Sequence, residues 1–320
     1  MKSNIKYAVG VDLGGTNVKV GIVSDSGKII KKTSIDTKAS EGPNKVVAQI
    51  ITAIGQVLNN NKLKIKGIGI GAAGVVIVEK GIVENPPNVP GWKKVKLASI
   101  IENYFHIKTK VENDANAAAI AEMMFGAGKK FHSFIMVTLG TGVGGGIIFN
   151  KKIYRGNFGA AGEIGHVSID YQGQQCNCGS FGCVETFVGN KYLVKRVQTE
   201  LSYHKDSMIW NLINNDLSLL TPLIIEQALL KNDYFATKVV ADLGKYLGIA
   251  LASVANAIDI STFIIGGGVS GFGTPLIKSI QDTTSSRVLK SLKDKIKIIP
   301  AKLKNDAGII GASSLIFYKS

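Results

Sequence analysis

The segment VDLGGTNVKVGIV (residues 11–23) has a counterpart in VTLGTGVGGGIIF (residues 137–149), 126 residues further along the chain. In both segments an apolar run leads into a glycine turn and then into a second apolar run, a pattern typical of two strands joined by a tight turn. Four of the 13 positions are identical, namely Val11/Val137, Leu13/Leu139, Gly14/Gly140 and Ile22/Ile148. The flanking order of elements also repeats, which indicates an internal duplication.

Each half is predicted to be a strand meander followed by alternating helices and strands. The first half has predicted strands at 6–12, 17–23, 28–36, 65–71 and 109–112, with helices at 43–59, 97–105 and from 115. The second has predicted strands at 133–139, 143–149, 151–155, 260–265 and 296–299, with helices at 221–231, 234–256, 275–292 and from 306. This order predicts an α/β fold with mixed sheets covered by helices. Two such halves facing each other would form a cleft, a usual place for a ligand.

Composition excludes several classes of protein. Three cysteines cannot all pair within one chain, so a disulfide framework is a poor interpretation. The longest apolar region, about 246–265, is interrupted by Asn256 and Asp259, and we therefore expect no membrane span and a cytoplasmic protein. The net charge is +15, but its lysines are scattered and no run combines arginines with aromatics, so a solvated surface is favoured over nucleic-acid binding.

The loop DLGGT (12–16) is predicted to be a phosphate-binding turn. Its glycines, Gly14 and Gly15, permit positive φ and let backbone N–H groups approach an anion, and Thr16 adds a hydroxyl donor. Asp12 ends the first strand and could hold Mg²⁺ through water, because magnesium prefers few carboxylates together with phosphate oxygens. An ordinary glycine hairpin is the alternative. Lys19 could reach phosphate, although a solvated strand lysine is an equal alternative.

Two later glycine turns decide between nucleotide folds. GTGVGG (140–145) and GGGVSG (266–271) both match G-x-G-x-x-G. A dinucleotide-binding fold needs that motif between a strand and a helix, with an acidic residue ending the next strand. A strand follows the first match, no acidic residue ends the strand after the second, and GxxxxGK[ST] is absent from the sequence. The pattern favours a nucleotide held between two duplicated halves.

The segment VENDANAAAIAEMMFGAG (111–128) places a carboxylate where a strand ends and a helix begins. Asp114 would accept a hydroxyl proton during phosphoryl transfer, or would only cap the helix. We expect the helix dipole to lower the pKa of Asp114. Phosphoryl transfer tolerates a weak base, because its loose transition state depends more on positioning.

Five motifs in this order, DLGGT, ENDANAAA, TLGTGVGGG, GEIGHVSID and CNCGSFGCVE, resemble the ROK family of sugar kinases. The resemblance implies a two-lobed actin-like (ribonuclease H-like) ATPase fold, with a small lobe of 1–114 plus about 302–320 and a large lobe of 115–301. It also implies a role for each matching position. The ATP phosphates would be bound at the two hairpin turns, by Gly14, Gly15, Thr16, Gly140, Thr141 and Gly142, with Asp12 beside them. The adenosine would lie by the third turn, at Gly266, Gly267 and Gly268. Asp114 would be the catalytic base, and the sugar would be bound by Asn88, Asn113, Asp114, Glu163, His166 and Glu185.

All three cysteines lie within GEIGHVSIDYQGQQCNCGSFGCVE (162–185). His166 with Cys176, Cys178 and Cys183 supplies one imidazole and three thiolates, a closed set suited to structural Zn²⁺ rather than three free thiols. His166 can use one ring nitrogen for the metal and the other for the sugar. Zinc in the loop 166–183 would thus brace Glu163 and Glu185.

The resemblance therefore predicts an ATP-dependent hexose 6-kinase that uses Mg²⁺, with glucose as the first choice of substrate. N-acetylmannosamine or N-acetylglucosamine is the second choice, and a non-catalytic sugar sensor is a different class. Repressors of the family carry a DNA-binding segment before the first motif, and only about eight residues precede it here, so we expect no nucleic-acid partner. A homo-oligomer, dimer or tetramer, is expected. An NAD-dependent dehydrogenase has only the two glycine matches in its favour.

Overall fold

The protein is described by a computed structural model that covers residues 5–319. Its contacts group these residues into two compact units. The first unit extends to His132 and also holds Gly146–Gly162 and the stretch from Lys302 onward, while the second holds Ser133–Gly145 and Glu163–Ala301. The predicted large lobe, 115–301, differs from the second unit because residues 115–132 and Gly146–Gly162 are grouped with the first unit. Residues 115–132 include most of α3, defined below, which packs on the last helix. The lobe boundaries themselves stay a prediction.

The first sheet has five strands in the order β3-β2-β1-β4-β8. Strands β1 to β3 form an antiparallel meander, and β4 and then β8 join β1 in parallel. The elements are β1 (Tyr7–Leu13), β2 (Asn17–Ser24), β3 (Ile29–Asp36), α1 (Pro43–Leu58), β4 (Ile65–Ala72), β5 (Val75–Ile77), β6 (Ile82–Glu84), β7 (Lys94–Val95), α2 (Leu97–Phe105), β8 (Thr109–Asn113) and α3 (Asp114–Phe125).

The second sheet repeats this topology, with the order β11-β10-β9-β12-β13. Strand β12 runs parallel to both β9 and β13, as β4 does to β1 and β8. The elements are β9 (Phe134–Leu139), β10 (Val143–Phe149), β11 (Lys152–Tyr154), α4 (Glu185–Val188), α5 (Asn190–Leu201), α6 (Ile209–Leu212), α7 (Pro222–Leu230), α8 (Tyr234–Ile258), β12 (Thr262–Gly266), α9 (Gly273–Arg287), β13 (Lys297–Pro300) and α10 (Ala307–Phe317). The predicted duplication and the mixed sheets are confirmed.

Helix α10 packs directly on the first sheet because two neighbouring strands present glycines to it. Gly10 of β1 and Gly69 of β4 are paired across the sheet. A Cβ on Gly10 would meet the carbonyl oxygen of Ile309, and one on Gly69 would meet that of Ala312. The sheet and the helix backbone therefore approach more closely than any side chain would allow.

Helix α8 has the length and the apolar composition of a membrane span, although 56% of its most apolar window is buried inside the protein. It packs on α9, where a Cβ on Gly244 would meet Ser279 and one on Gly248 would meet Thr283. A buried core helix meets the same criteria of length and composition.

Several elements differ from the predicted ones. The short sheet β5-β6-β7 was not predicted, because its strands have only three, three and two residues. Helices α4, α5 and α6 were also not predicted. Helices α4 and α6 have only four residues each, and the buried face of α5 consists of Leu193, Val197 and Leu201 within a largely polar sequence. Helix α9 ends at Arg287 rather than near 292.

Candidate functional site

The DLGGT turn joins β1 to β2 and is held by its own backbone. The Gly14 N–H donates to the Asn17 carbonyl at 3.0 Å, while the Thr37 hydroxyl donates to the Gly14 carbonyl at 2.7 Å. Neither Gly14 nor Gly15 has positive φ, so the expected conformational reason for these glycines is wrong. Close approach explains Gly15 instead, because an added Cβ would lie 2.9 Å from the Cβ of Asn88. The turn and Asn88 are thus brought together.

Asp12, at the end of β1, lies beside the start of α10. An added Cβ on Gly308 would meet the Asp12 carboxylate, so glycine leaves the room that this side chain occupies. Burial raises the pKa of Asp12 to about 6; Lys19 opposes this rise, and the negative charge of Asp114 adds to it. A carboxylate whose pKa is shifted this far by desolvation is typical of a functional position.

Asp114 is the first residue of α3, but it is not the residue that caps the helix. Asn113 is the N-cap, and its side-chain oxygen accepts from the N–H groups of Ala115 at 2.9 Å and Asn116 at 3.1 Å. The Asn113 amide also donates to the carbonyl of Gly74 at 3.2 Å. The capping alternative for Asp114 therefore loses its main support, even though one Asp114 oxygen accepts from Ala115 N–H at 2.8 Å.

The expected lowering of the Asp114 pKa is wrong. The residue retains solvent exposure, yet the surrounding protein desolvates the carboxylate and raises its pKa. The hydrogen bond from Ala115 N–H acts in the lowering direction and is the smaller effect. Because its pKa is raised, the ionised Asp114 carboxylate is a better proton acceptor than a carboxylate at a solvated helix N-terminus would be.

In the second unit, the two later glycine turns lie against each other. The Gly140 N–H donates to the Gly142 carbonyl, and the Gly140 carbonyl accepts from Asn190 N–H, both at 3.0 Å. Gly267 has a φ of 88°, and a Cβ there would lie 2.6 Å from the Leu139 nitrogen, at the end of β9. A Cβ on Gly140 or Gly268 would meet nothing within 4 Å, so both have room for a ligand to approach.

Glu185 joins the GTG turn to the cysteine loop. Its Oε2 accepts from the Val143 N–H at 2.9 Å, while its Oε1 lies 3.9 Å from the Cys176 sulfur. A Cβ on Gly142 would collide with the Glu185 carboxylate, which explains the glycine at that position. The structure therefore places Glu185 beside the predicted phosphate turn, a contact that sequence spacing did not indicate.

The cysteine loop brings four possible metal ligands together. The ligand atoms of His166, Cys176, Cys178 and Cys183 all lie within 4.8 Å of one another. Cys176 Sγ is 3.7 Å from His166 Nδ1, and the sulfurs of Cys178 and Cys183 are 3.7 Å apart. Four ligands around a tetrahedral zinc with Zn–S bonds of about 2.3 Å would have edges of roughly 3.8 Å, so the cluster fits that ion.

The backbone of this loop is shaped around the cluster. Cys176 N–H donates to the Ser180 carbonyl at 2.8 Å, and Gly179 and Gly182 have φ of 93° and 62°. Burial raises the pKa of Cys183 to about 12, whereas a backbone hydrogen bond from Ser180 lowers that of Cys178. His166 Nε2 lies 4.0 Å from a Glu163 oxygen, so this nitrogen faces away from the sulfurs, toward Glu163.

Sequence reasoning missed Glu112 and Arg155. Glu112 is 2% exposed, and its Oε2 lies 2.8 Å from Arg155 Nε and 2.7 Å from the second guanidinium nitrogen. The available signal was that the first residue of ENDANAAA is a charged residue near the end of a buried strand. Nothing in the sequence indicated that Arg155, 43 residues away, would be its partner.

Comparisons with known proteins identify the family of this chain. The model of the ROK family matches residues 8–318. A glucokinase of Halalkalibacterium halodurans is 37% identical over 97% of this chain and 95% of its own length. The structure of a ROK family glucokinase from Streptomyces griseus, in complex with glucose and AMPPNP, superposes with a TM-score of 0.87 at 32% identity, covering 97% of this chain and 98% of that one.

Regulators are also among the relatives. The xylose repressor of Bacillus subtilis is 30% identical over 97% of this chain, which spans 77% of the repressor. The fold and the sequence motifs lead to one conclusion: the chain belongs to the ROK family, and it has the actin-like fold of that family's kinases.

Proposed function

We propose that this protein transfers the γ-phosphate of ATP to the 6-hydroxyl of a hexose, and that glucose is its substrate. The observation that carries the proposal is the position of Asp114. It stands at the carboxyl end of β8 while Asn113 caps the helix, so the carboxylate is not required for capping. The likeness to glucokinases over nearly the whole chain supports the sugar class.

In the proposed reaction, Asp114 accepts the proton of the sugar 6-hydroxyl. The 6-oxygen then forms a bond to the γ-phosphorus, the bond from that phosphorus to the bridging oxygen breaks, and ADP leaves. The sugar would be contacted by Asn88, Asn113, Glu163, His166 and Glu185.

The nucleotide would be held by backbone N–H groups of the glycine turns. The phosphates would be bound by Gly14, Gly15, Thr16, Gly140, Thr141 and Gly142. The adenosine would lie by Gly266, Gly267 and Gly268. Asp12 would hold Mg²⁺ through water, and the ion, when bound, neutralises charge on the phosphates. We place the enzyme in the cytoplasm, as a homo-oligomer.

The test is ADP release with Mg²⁺-ATP and a panel of glucose, N-acetylmannosamine, N-acetylglucosamine and fructose. Asp114→Asn should abolish sugar-dependent turnover while the protein stays folded, because the capping residue is Asn113. The control is Asp294→Asn, an exposed aspartate in a turn before β13, which should turn over at the native rate. Replacing ATP by polyphosphate, with sugar phosphate as the measured product, identifies the donor.

A non-catalytic sugar sensor is the second candidate, favoured by the repressors among the relatives. Native protein that binds a sugar in calorimetry but releases no ADP with any member of the panel would favour this second function. Full turnover by Asp114→Asn would instead refute the assignment of the base.

We also propose that His166, Cys176, Cys178 and Cys183 bind one structural zinc ion. With four protein ligands, the site leaves no open position for chemistry, so the metal stabilises the loop that carries Glu163 and Glu185. Elemental analysis should find one zinc per chain, and Cys178→Ser should lose it. Metal-free protein should bind sugar more weakly and be cleaved faster by protease within 163–185. Unchanged sugar binding by the metal-free protein would contradict the bracing role.

A further inference from the structure

Glu112 lies in β8 two residues before Asp114, and its carboxylate is almost completely enclosed. Only 2% of the residue is exposed. A buried carboxylate is costly unless it is paired with a cation and its remaining lone pairs accept hydrogen bonds. The partners of the Glu112 carboxylate therefore show which part of the structure depends on this buried charge.

The two oxygens of Glu112 have different partners. Oε2 accepts from Arg155 at 2.8 and 2.7 Å, which is the short, charge-assisted geometry of a strong pair. Oε1 accepts from the backbone N–H of Asn113 at 3.0 Å and from the side-chain amide of Asn116 at 3.1 Å. One oxygen is thus held by the arginine, and the other holds the turn between β8 and α3.

That turn presents Asp114. Asn113 and Asn116 lie on either side of it, and Asn113 caps the helix through Ala115 and Asn116. A displacement of the Glu112 carboxylate would therefore move the backbone on which the Asp114 side chain is mounted.

Arg155 is itself fixed by its own segment of the first unit. It directly follows β11, where the Ile153 N–H donates to the Tyr318 hydroxyl at 3.0 Å. Its carbonyl accepts from Ala161 N–H at 3.1 Å, which closes the loop that follows. The Arg155 side chain is 25% exposed, so water reaches part of it, whereas the Glu112 side chain is almost completely enclosed.

We infer that Arg155, acting through Glu112, is a positioning residue for the proposed base Asp114. Removing the guanidinium would leave a buried carboxylate without its cation, and that carboxylate would be drawn toward water and away from Asn113. A misplacement of about 1 Å at a reacting group can slow a reaction by roughly 100-fold. The nucleotide contacts proposed above lie on other residues, so binding of ATP should not change.

The experiment compares Arg155→Met, Arg155→Lys and the control Lys245→Met in the full chain, with steady-state kinetics in ATP and sugar. Lys245 pairs with Asp242 at 2.9 Å on an exposed face, so its loss removes a cation of no catalytic consequence. Arg155→Met should lower kcat about 100-fold with the KM for ATP within about twofold of the native value. Arg155→Lys should recover part of kcat, because it restores the charge but not the two-point contact.

A folded Arg155→Met protein with native kcat would overturn the inference, as would a KM for ATP that rises in proportion to the loss of kcat. If Arg155→Met fails to fold, Glu112→Gln takes its place, because it keeps an oxygen for the Asn113 N–H, and kcat should still fall about tenfold. The inference rests on the proposed function, and Asp114→Asn measured in parallel separates the two. An inactive Asp114→Asn beside a fully active Arg155→Met would refute only the positioning role.

Discussion

Replacing Gly69 by alanine should destabilise the first unit through a collision between two backbones. An added Cβ on Gly69 would meet the Ala312 carbonyl oxygen and lie 2.6 Å from its carbonyl carbon, whereas real Cβ atoms essentially never come within 3.0 Å of another heavy atom. The obstacle is the backbone of α10, which cannot rotate away as a side chain would. The helix and the sheet must therefore separate.

The expected cost follows from two opposing effects. Overpacking of this kind costs about 1–3 kcal/mol, and a backbone obstacle places Gly69→Ala near the upper end, about 3 kcal/mol. Alanine recovers up to about 1 kcal/mol of backbone entropy in a strand. The net loss is about 2 kcal/mol, which corresponds to a fall in Tm of about 4–8 °C.

Gly55→Ala is the matched control for this experiment. Gly55 lies inside α1, and an added Cβ there would meet nothing within 4 Å. The same change should therefore stabilise the protein by about 0.5–1 kcal/mol. Thermal unfolding followed by circular dichroism should show shifts of opposite sign. A Tm for Gly69→Ala equal to or above the native value would refute the close-approach argument.

Three further predictions concern buried carboxylates and the glycine beside one of them. Glu122 is fully buried and accepts from the N–H groups of Ala127, Lys302 and Leu303 at 2.6–2.9 Å, so Glu122→Ala should cost about 3 kcal/mol in urea unfolding, clearly more than Glu122→Gln. The pKa of Asp12 is about 6 in the fold against 3.8 unfolded, so the folded state binds the extra proton between these values and its stability falls as pH rises through 6. At pH 8, urea unfolding should show that Asp12→Asn is more stable than the native protein by up to about 3 kcal/mol in the free energy of unfolding, and this difference should vanish below pH 4. The turnover of the native enzyme should fall below pH 6. A stability difference that does not depend on pH would contradict this reasoning. Gly308→Ala should push the Asp12 carboxylate aside and raise the Mg²⁺ concentration needed for half-maximal rate, and an unchanged magnesium dependence would argue against a metal role for Asp12.

Much of this protein could be predicted from the sequence because the decisive signals are local. Apolar runs and glycine turns predicted the strands of the two five-stranded sheets within a residue or two, and the repeat at 11–23 and 137–149 predicted the shared topology of these sheets. The cysteine spacing identified the four-ligand cluster for the same reason, since its cysteines lie in one short loop.

What only the tertiary structure decided is which distant groups share one environment. The helix dipole argument for Asp114 used its local position and predicted the wrong direction of the pKa shift, because desolvation by the surrounding fold is the larger effect. The partners of Glu112 and Glu185 come from residues 43 and 42 positions away, and the glycines facing α10 matter only because that helix returns to the sheet. Local sequence determines dihedral preferences and periodicity, whereas the burial and pairing of charges depend on tertiary contacts that exist only in the folded chain.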